Sequence, residues 1–402
     1  MAAAMRCLLA VNTGSSSLKL ALFERDASGG PRVAARAERI GTSDSRLTIA
    51  GTSGTILLDE RRDLRDHASA LAACVDWLRR NHFEAVEVVG HRVVYGGVRH
   101  RQPKTITPSL IAELRALTAI DPDHMPQTIA MIEEMERLYP GARAFACFDS
   151  GFHHTMPRVA QMYPLPWSFF DEGVVRYGFH GLSCEYIRDE LKAVAPADAG
   201  GRVIVAHLGY GASMTAITEG TSVDTTMGFS PTGGLAMGTR SGDLDPSVVL
   251  YLMSREDASV DAVRGVVNRQ SGLLGLSGIS GDMRDLLARE AVDTHAADAI
   301  ALFCYSARKF LGSLVAVLGG LDTIVFTGGI GEHAASIRER ICAGLGCFGI
   351  ELDAGRNATH EPVISSDLSR VVVRVMNTDE ELMIARQVRR LLASEGVDDP
   401  RG

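Results

Sequence analysis

At 402 residues the chain exceeds what one hydrophobic core usually supports, so two domains, each with its own apolar centre, are expected. Hydrophobic residues at 46% and charged residues at 22% give an ordinary globular balance, and no apolar run is read as long enough to cross a bilayer. A net charge of −8, with basic residues spread along the chain, argues against a nucleic-acid or anionic-membrane surface.

The opening MAAAMRCLLAV runs into a polar Gly/Ser turn without a small-residue cleavage site, so no export signal is expected. In residues 11–24, VNTGSSSLKLALFE, an apolar run, a Gly/Ser turn and an alternating strand predict a hairpin. Only four of the 41 basic residues are lysines, and one of them, Lys19, lies in this hairpin. Helical periodicity follows over 68–80, 108–119 and 126–138, with strand-like runs at 86–90 and 144–148. A further helix is predicted over 183–194.

Residues 203–220, VIVAHLGYGASMTAITEG, repeat the first hairpin's pattern. Small residues at both turns let backbone N–H groups approach an anion, so each hairpin is a candidate grip for one end of a polyphosphate. A helix over 296–318 precedes a strand at 323–326, and Gly328, Gly329 and Gly331 then lead into an amphipathic pattern. A strand, a glycine turn and a helix start suit a nucleotide. Neither GxxxxGK[ST] nor a strand-linked GxGxxG is present, which excludes the usual P-loop and dinucleotide signatures. A strand at 371–375, a helix at 380–393 and a polar tail from residue 395, expected to fray, complete an α/β pattern. Seven cysteines without a CxxC pair suit reduced thiols and a cytoplasmic address.

Polar clusters punctuate the strand ends: GHRVVYGG from Gly90, FDSGFHHTMP from Phe148, RYGFHGLS from Arg176, MGTRSGDLDP from Met237 and NTDEELMIAR from Asn377. Phosphoryl transfer is governed by positioning and charge neutralisation, so it calls for arginine, a hydrogen-bonding histidine and carboxylates for a metal ion. In this order and spacing the clusters resemble the signature segments of the acetate kinase family, from about residue 11 to residue 386.

The resemblance implies a duplicated actin-like ATPase (ribonuclease H-like) fold, with ATP in a cleft between two domains. The first would comprise residues 1–150 and 381–402, and the second 151–380, carrying most of the nucleotide site. It implies reversible transfer from ATP to acetate, giving acetyl phosphate and ADP, with Mg²⁺ or alternatively Mn²⁺, in a homodimer. Asn12 and Glu380 match the metal positions, Asn12 through solvent, and Lys19 matches an ATP-contacting lysine. Arg92 and Arg240 match the arginines flanking the carboxylate and the moving phosphoryl group. His180 matches a transition-state hydrogen-bond donor, and Asp149 an essential aspartate. Val94, His124, Phe179 and Pro231 match substrate-pocket positions. His207, Leu208, Gly209, Tyr210 and Gly211 would contact phosphates; Asp282, Met283 and Arg284 would contact adenosine; Gly329, Ile330, Gly331, Glu332 and His333 would line the adenine site.

A carboxylate substrate is already ionised at neutral pH, so Asp149 is expected to orient Arg240 or the metal shell rather than act as a base. Tyr210 stands where the family has asparagine, which predicts weaker ATP binding or an altered phosphate path. Asp123 stands at a pocket leucine, Leu182 at a threonine, Cys184 at a histidine and His333 at an asparagine. Alternatives are a kinase for propionate, butyrate or another short-chain acid and, from another class, an ATP-binding conformational module in which water replaces the acid. The clamp of Arg92 and Arg240 with His180 favours a kinase.

Overall fold

The computed structural model describes residues 6–14, 16–27, 29–83 and 85–395; Ser15, most of the opening segment and the polar tail beyond Glu395 lie outside them. The chain divides into two compact units, Met1–Gly151 with Asp379–Gly402, and Phe152–Thr378. The division falls ahead of the last helix, so Glu380 belongs to the first unit, whereas the sequence pattern assigns residue 380 to the second.

In the first unit, β1 (Cys7–Thr13) and β2 (Ser17–Glu24) form the predicted hairpin, paired Ala10 to Ala21 and Asn12 to Lys19. With β3 (Val33–Glu38), β4 (Arg46–Gly51), β5 (Ile56–Arg61), β6 (Val86–Val93), β7 (Lys104–Thr105) and β8 (Arg143–Phe148) they make a sheet ordered β5-β4-β3-β2-β1-β6-β8-β7. β1 is buried on both faces, which explains its near-continuous apolar sequence. Helices His67–Arg80 and Met125–Leu138 send Leu71, Val75, Leu78, Met131 and Met135 into a core shared with Leu9, Val11 and Val89. The helix Glu380–Glu395 packs on β6, where a Cβ at Gly90 would meet Ile384 Cγ2 at 2.6 Å, so only glycine permits that approach.

Strand pleating puts neighbours on opposite faces, and in β6 it separates His91 from Arg92. His91 is buried, its Nε2 has no hydrogen-bond partner among the described residues, and burial pushes the imidazole pKa down to about 3. An unfolded histidine titrates near about 6.5, so between that pH and about 3 the unfolded chain binds the extra proton. The stability this group contributes is full above pH about 6.5 and is lost as the pH falls toward about 3. His91→Leu should therefore flatten the fall in urea midpoint over that window. An unchanged slope would locate the acid sensitivity elsewhere.

In the second unit, β9 (Arg202–Leu208), β10 (Ala212–Thr218), β11 (Thr221–Thr225), β12 (Thr323–Thr327) and β13 (Val372–Val375) are ordered β11-β10-β9-β12-β13. β9 is antiparallel to β10 and parallel to β12, as β1 is to β2 and β6. β13 and β8 then repeat each other's place as parallel outer neighbours. The duplication suggested by two hairpins thus extends to five strands, the duplicated α/β fold of actin-like ATPases.

Helix Gly181–Val194 covers one face of this sheet through Cys184, Ile187 and Leu191, packed with Val203, Val205 and Val325. The helix Thr294–Leu318 corrects one sequence reading, because by length and composition it could cross a membrane. Its buried residues Ala296, Ala299, Ile300, Phe303, Ala307, Leu311 and Leu314 recur at helical spacing, the stripe of a core helix.

Candidate active site

The parallel strands β1, β6 and β8 end on one edge of the first sheet, and there the chain sets Asn12, Arg92 and Asp149. Asp149 is fully buried; its Oδ2 accepts from Arg92 Nη2 at 2.7 Å, while its backbone N–H donates to Val93 O at 2.9 Å. Arg92 Nη1 also donates to Asn12 Oδ1 at 3.4 Å and Thr13 O at 3.3 Å, and Arg92 Nε lies 4.0 Å from Glu380 Oε2. Burial pulls the Arg92 pKa down, but the carboxylates of Asp149 and Glu380 raise it further, so the guanidinium is held charged.

Asn12 Nδ2 donates to Glu380 Oε2 at 2.8 Å and to Glu381 Oε1 at 2.6 Å, and Lys19 Nζ lies 3.9 Å from Glu381 Oε1. Three carboxylates thus meet two cations. Among the described residues no three His, Cys, Asp or Glu side chains group as a metal cage. An amide oxygen and carboxylates, with excess negative charge, nevertheless fit Mg²⁺, a hard ion that keeps water and takes few protein ligands. Val94 is buried just past β6, and His124 Nδ1 lies 2.9 Å from Asp121 Oδ1 at the start of helix Met125–Leu138. Asp123 is half-buried.

In the second unit His180 takes a left-handed backbone, φ 57° and ψ 27°, immediately before helix Gly181–Val194. For a non-glycine residue that conformation is costly and marks a place where position matters. Its Nδ1 lies 2.9 Å from Ser213 Oγ, and its ring stacks on His207 with centroids 4.2 Å apart. His207 Nδ1 meets Ser183 Oγ at 2.8 Å, which meets Thr378 Oγ1 at 2.8 Å. Arg240 Nη1 donates to Pro231 O at 3.0 Å. A Cβ placed on Gly211 would lie 3.1 Å from His180 Nε2 and 3.6 Å from Arg240 Nη1. Glycine there keeps the turn from crowding the edge of the His180 ring and the Arg240 guanidinium, which both lie beside it.

The acetokinase family profile matches residues 7–386. Acetate kinase of Methylocella silvestris is 45% identical over 96% of this chain and 98% of its own, and propionate kinase of Escherichia fergusonii 40% over 96% and 97%. The crystal structure of Porphyromonas gingivalis acetate kinase superposes with a TM-score of 0.83 at 34% identity, covering 96% of this chain and 100% of that one. The chain belongs to the acetokinase family. It is thereby a phosphotransferase with a carboxyl group as acceptor.

Within this acetokinase scaffold the remaining matched residues divide sharply. Leu208, Met283 and Phe179 are buried. Gly209 and Gly211 shape the β9–β10 turn, and exposed Gly329 and half-buried Ile330 lie in the short helix Gly328–His333. The expected glycine turn before a helix is therefore the first turn of that helix itself. Glu332 turns inward: its Oε1 accepts from Gly328 N at 2.8 Å and from Thr378 N at 3.2 Å. Exposed His333 lies 3.8 Å from the other Glu332 oxygen. Asp282 Oδ1 accepts from Arg284 N at 2.9 Å, capping helix Met283–Leu287, and the exposed Arg284 side chain pairs with it.

Two departures from the family pattern become core residues. Leu182 and Cys184 are fully buried on helix Gly181–Val194 and do not reach the site as surface groups. Sequence reasoning missed Ser213, Ser183, Thr378 and Glu381. All four lie in segments that the sequence singled out, Ser183 in RYGFHGLS, Thr378 and Glu381 in NTDEELMIAR, and Ser213 opposite His207 in the second hairpin. It also missed Arg338, a fully buried guanidinium whose Nη1 holds the carbonyls of Gly331 at 2.9 Å and Glu332 at 3.0 Å, while Nη2 meets Asn357 O at 2.8 Å. Burial draws its pKa down to about 10, and its neutral acceptors fix the end of the Gly328–His333 helix.

Proposed function

We propose that this protein reversibly transfers the γ-phosphoryl group of ATP to acetate, giving acetyl phosphate and ADP, with propionate as the nearest alternative acid. The observation that carries this reading is that His180, held by Ser213 and stacked on His207, and Arg240 both lie beside Gly211 in the turn matched to phosphate contact. Groups fixed in this way would meet the charge of a phosphoryl group in the transition state without reorganisation.

In this reading the first unit supplies Arg92, held by Asp149, to orient the acid, and Val94 and His124 to shape its pocket. The second supplies His180 and Arg240 for the moving group, Phe179 and Pro231 beside them, His207 through Gly211 for the phosphates, and Asp282 through Arg284 and residues 329–333 for the nucleoside. Lys19 would meet the ATP phosphates. Acetate needs no base, so Asp149 acts by holding Arg92 rather than by removing a proton. Glu380 and, through water, Asn12 would hold Mg²⁺, which offsets charge on the phosphates.

Incubation with Mg-ATP, hydroxylamine and acetate, propionate, butyrate or lactate should trap acyl hydroxamate, greatest with acetate and lost in Arg240→Ala. ATP hydrolysis without hydroxamate from any acid would refute the kinase and support a conformational ATPase.

We further propose a homodimer in a reducing, cytoplasmic setting, the latter supported by seven cysteines without a CxxC pair. Helix Pro246–Met253 buries none of its residues and exposes Val248, Leu250 and Tyr251, an apolar face suited to a second copy of the chain. Light scattering at micromolar concentration should report a dimer, and Leu250→Asp with Tyr251→Asp should give a monomer. A wild-type monomer would refute this.

A further inference from the structure

We infer that Tyr210 is a specificity-determining residue for the nucleoside of the phosphoryl donor, its ring forming a platform seated on Gly238. This rests on the kinase reading above. Gly211 lies beside His180 and Arg240, whereas the Tyr210 ring occupies the space of a side chain at Gly238. A Cβ there would lie 2.7, 2.8 and 2.9 Å from ring atoms Cε2, Cδ2 and Cζ. The backbone ties the same two residues, Gly238 N–H donating to Tyr210 O at 2.9 Å.

The hydroxyl end points toward the segment that begins the adenosine site, since a Cβ on Gly281 would lie 3.0 Å from Tyr210 Oη. Asp282, the next residue, caps helix Met283–Leu287. The ring therefore spans from the turn matched to phosphate contact to the segment matched to adenosine contact. Its residue is nevertheless 48% exposed. A flat aromatic surface supported by glycine backbone and half exposed is chemically fit to receive a ribose or purine face, and alanine replacement of such a platform weakens binding of a base by about five- to fiftyfold.

The acyl phosphate has no nucleoside and provides the internal control. In the reverse reaction, Tyr210→Ala should raise KM for ADP, and the calorimetric Kd for ADP, by about five- to fiftyfold while KM for acetyl phosphate stays within about twofold. Tyr210→Phe keeps the ring and should recover most of the ADP affinity that Tyr210→Ala loses. Gly238 is not in the left-handed region, and the three atoms nearest a Cβ there all belong to the ring, so Gly238→Ala is strained chiefly against it. It should weaken ADP binding in the wild-type background and add nothing to Tyr210→Ala.

Unchanged ADP affinity in Tyr210→Ala, equal rises in both KM values, or a full Gly238→Ala penalty without the ring would each overturn the platform. If the wild-type protein forms no acyl phosphate while its ADP Kd still shifts in Tyr210→Ala, the kinase reading fails and the platform stands. Normal turnover with unshifted ADP binding means the reverse: the kinase stands and the platform fails.

Discussion

Replacing Asp149 by asparagine is expected to lower acyl phosphate formation by about a hundred- to a thousandfold and to destabilise the first unit by about 3–5 kcal/mol. The amide keeps the shape and can still accept a hydrogen bond from Arg92, so the loss is one of charge. Arg92 is largely buried, its side chain 14% exposed, and Asp149 is its closest carboxylate at 2.7 Å. Glu380 remains 4.0 Å from Arg92 Nε, which places the stability loss toward the lower end of the range. Arg92→Met in the Asp149→Asn background should recover part of the stability and none of the activity, because it removes the stranded charge. Urea unfolding and the hydroxamate assay test both halves. A double variant no more stable than Asp149→Asn would mean that the pair is not the source of the loss.

The second large effect is expected at His180. His180→Ala should cut kcat by about a hundred- to a thousandfold while the KM values for ATP and acetate move by less than about threefold, the pattern of a group that acts in the transition state. Its stability cost should be smaller than its burial suggests, under about 2 kcal/mol, because the left-handed backbone that the histidine strains is only slightly harder on alanine. Ser213→Ala should give a milder loss, since it frees the ring's Nδ1 partner and leaves the stack on His207 in place. Single-turnover and steady-state kinetics separate these terms. A rise in KM for ATP accounting for the whole loss, with kcat intact, would reduce His180 to a ground-state contact.

Much of the scaffold was legible because it rests on periodicity. The two hairpins, the helices at 68–80, 126–138, 183–194 and 380–393, and the parallel strands all emerged within a few residues of His67–Arg80, Met125–Leu138, Gly181–Val194, Glu380–Glu395, Val86–Val93 and Thr323–Thr327. The antiparallel extension of the first sheet was not read, because β3 to β5 mix alanine and arginine with few branched residues and their outer edge is exposed. Arg92, Asp149 and Asn12 fall together because parallel strands end on one edge, a fact of topology rather than of spacing. Arg338 was opaque for another reason: a charged side chain is read as a surface group, and only tertiary contacts bury it. Leu182 and Cys184 looked like changes in the site only because the sequence does not reveal which side of helix Gly181–Val194 faces the sheet.

The chain's path through its two units also has a temporal meaning. The second unit, Phe152–Thr378, is continuous and can fold as soon as it clears the ribosome, whereas the first waits for residues 379 onward. Until then Gly90 has no Ile384 against it, and Asn12 lacks both glutamates. The groups matched to the metal thus come together only once residues 380 and 381 have been made, so a product interrupted before them lacks the carboxylates that pair with Asn12.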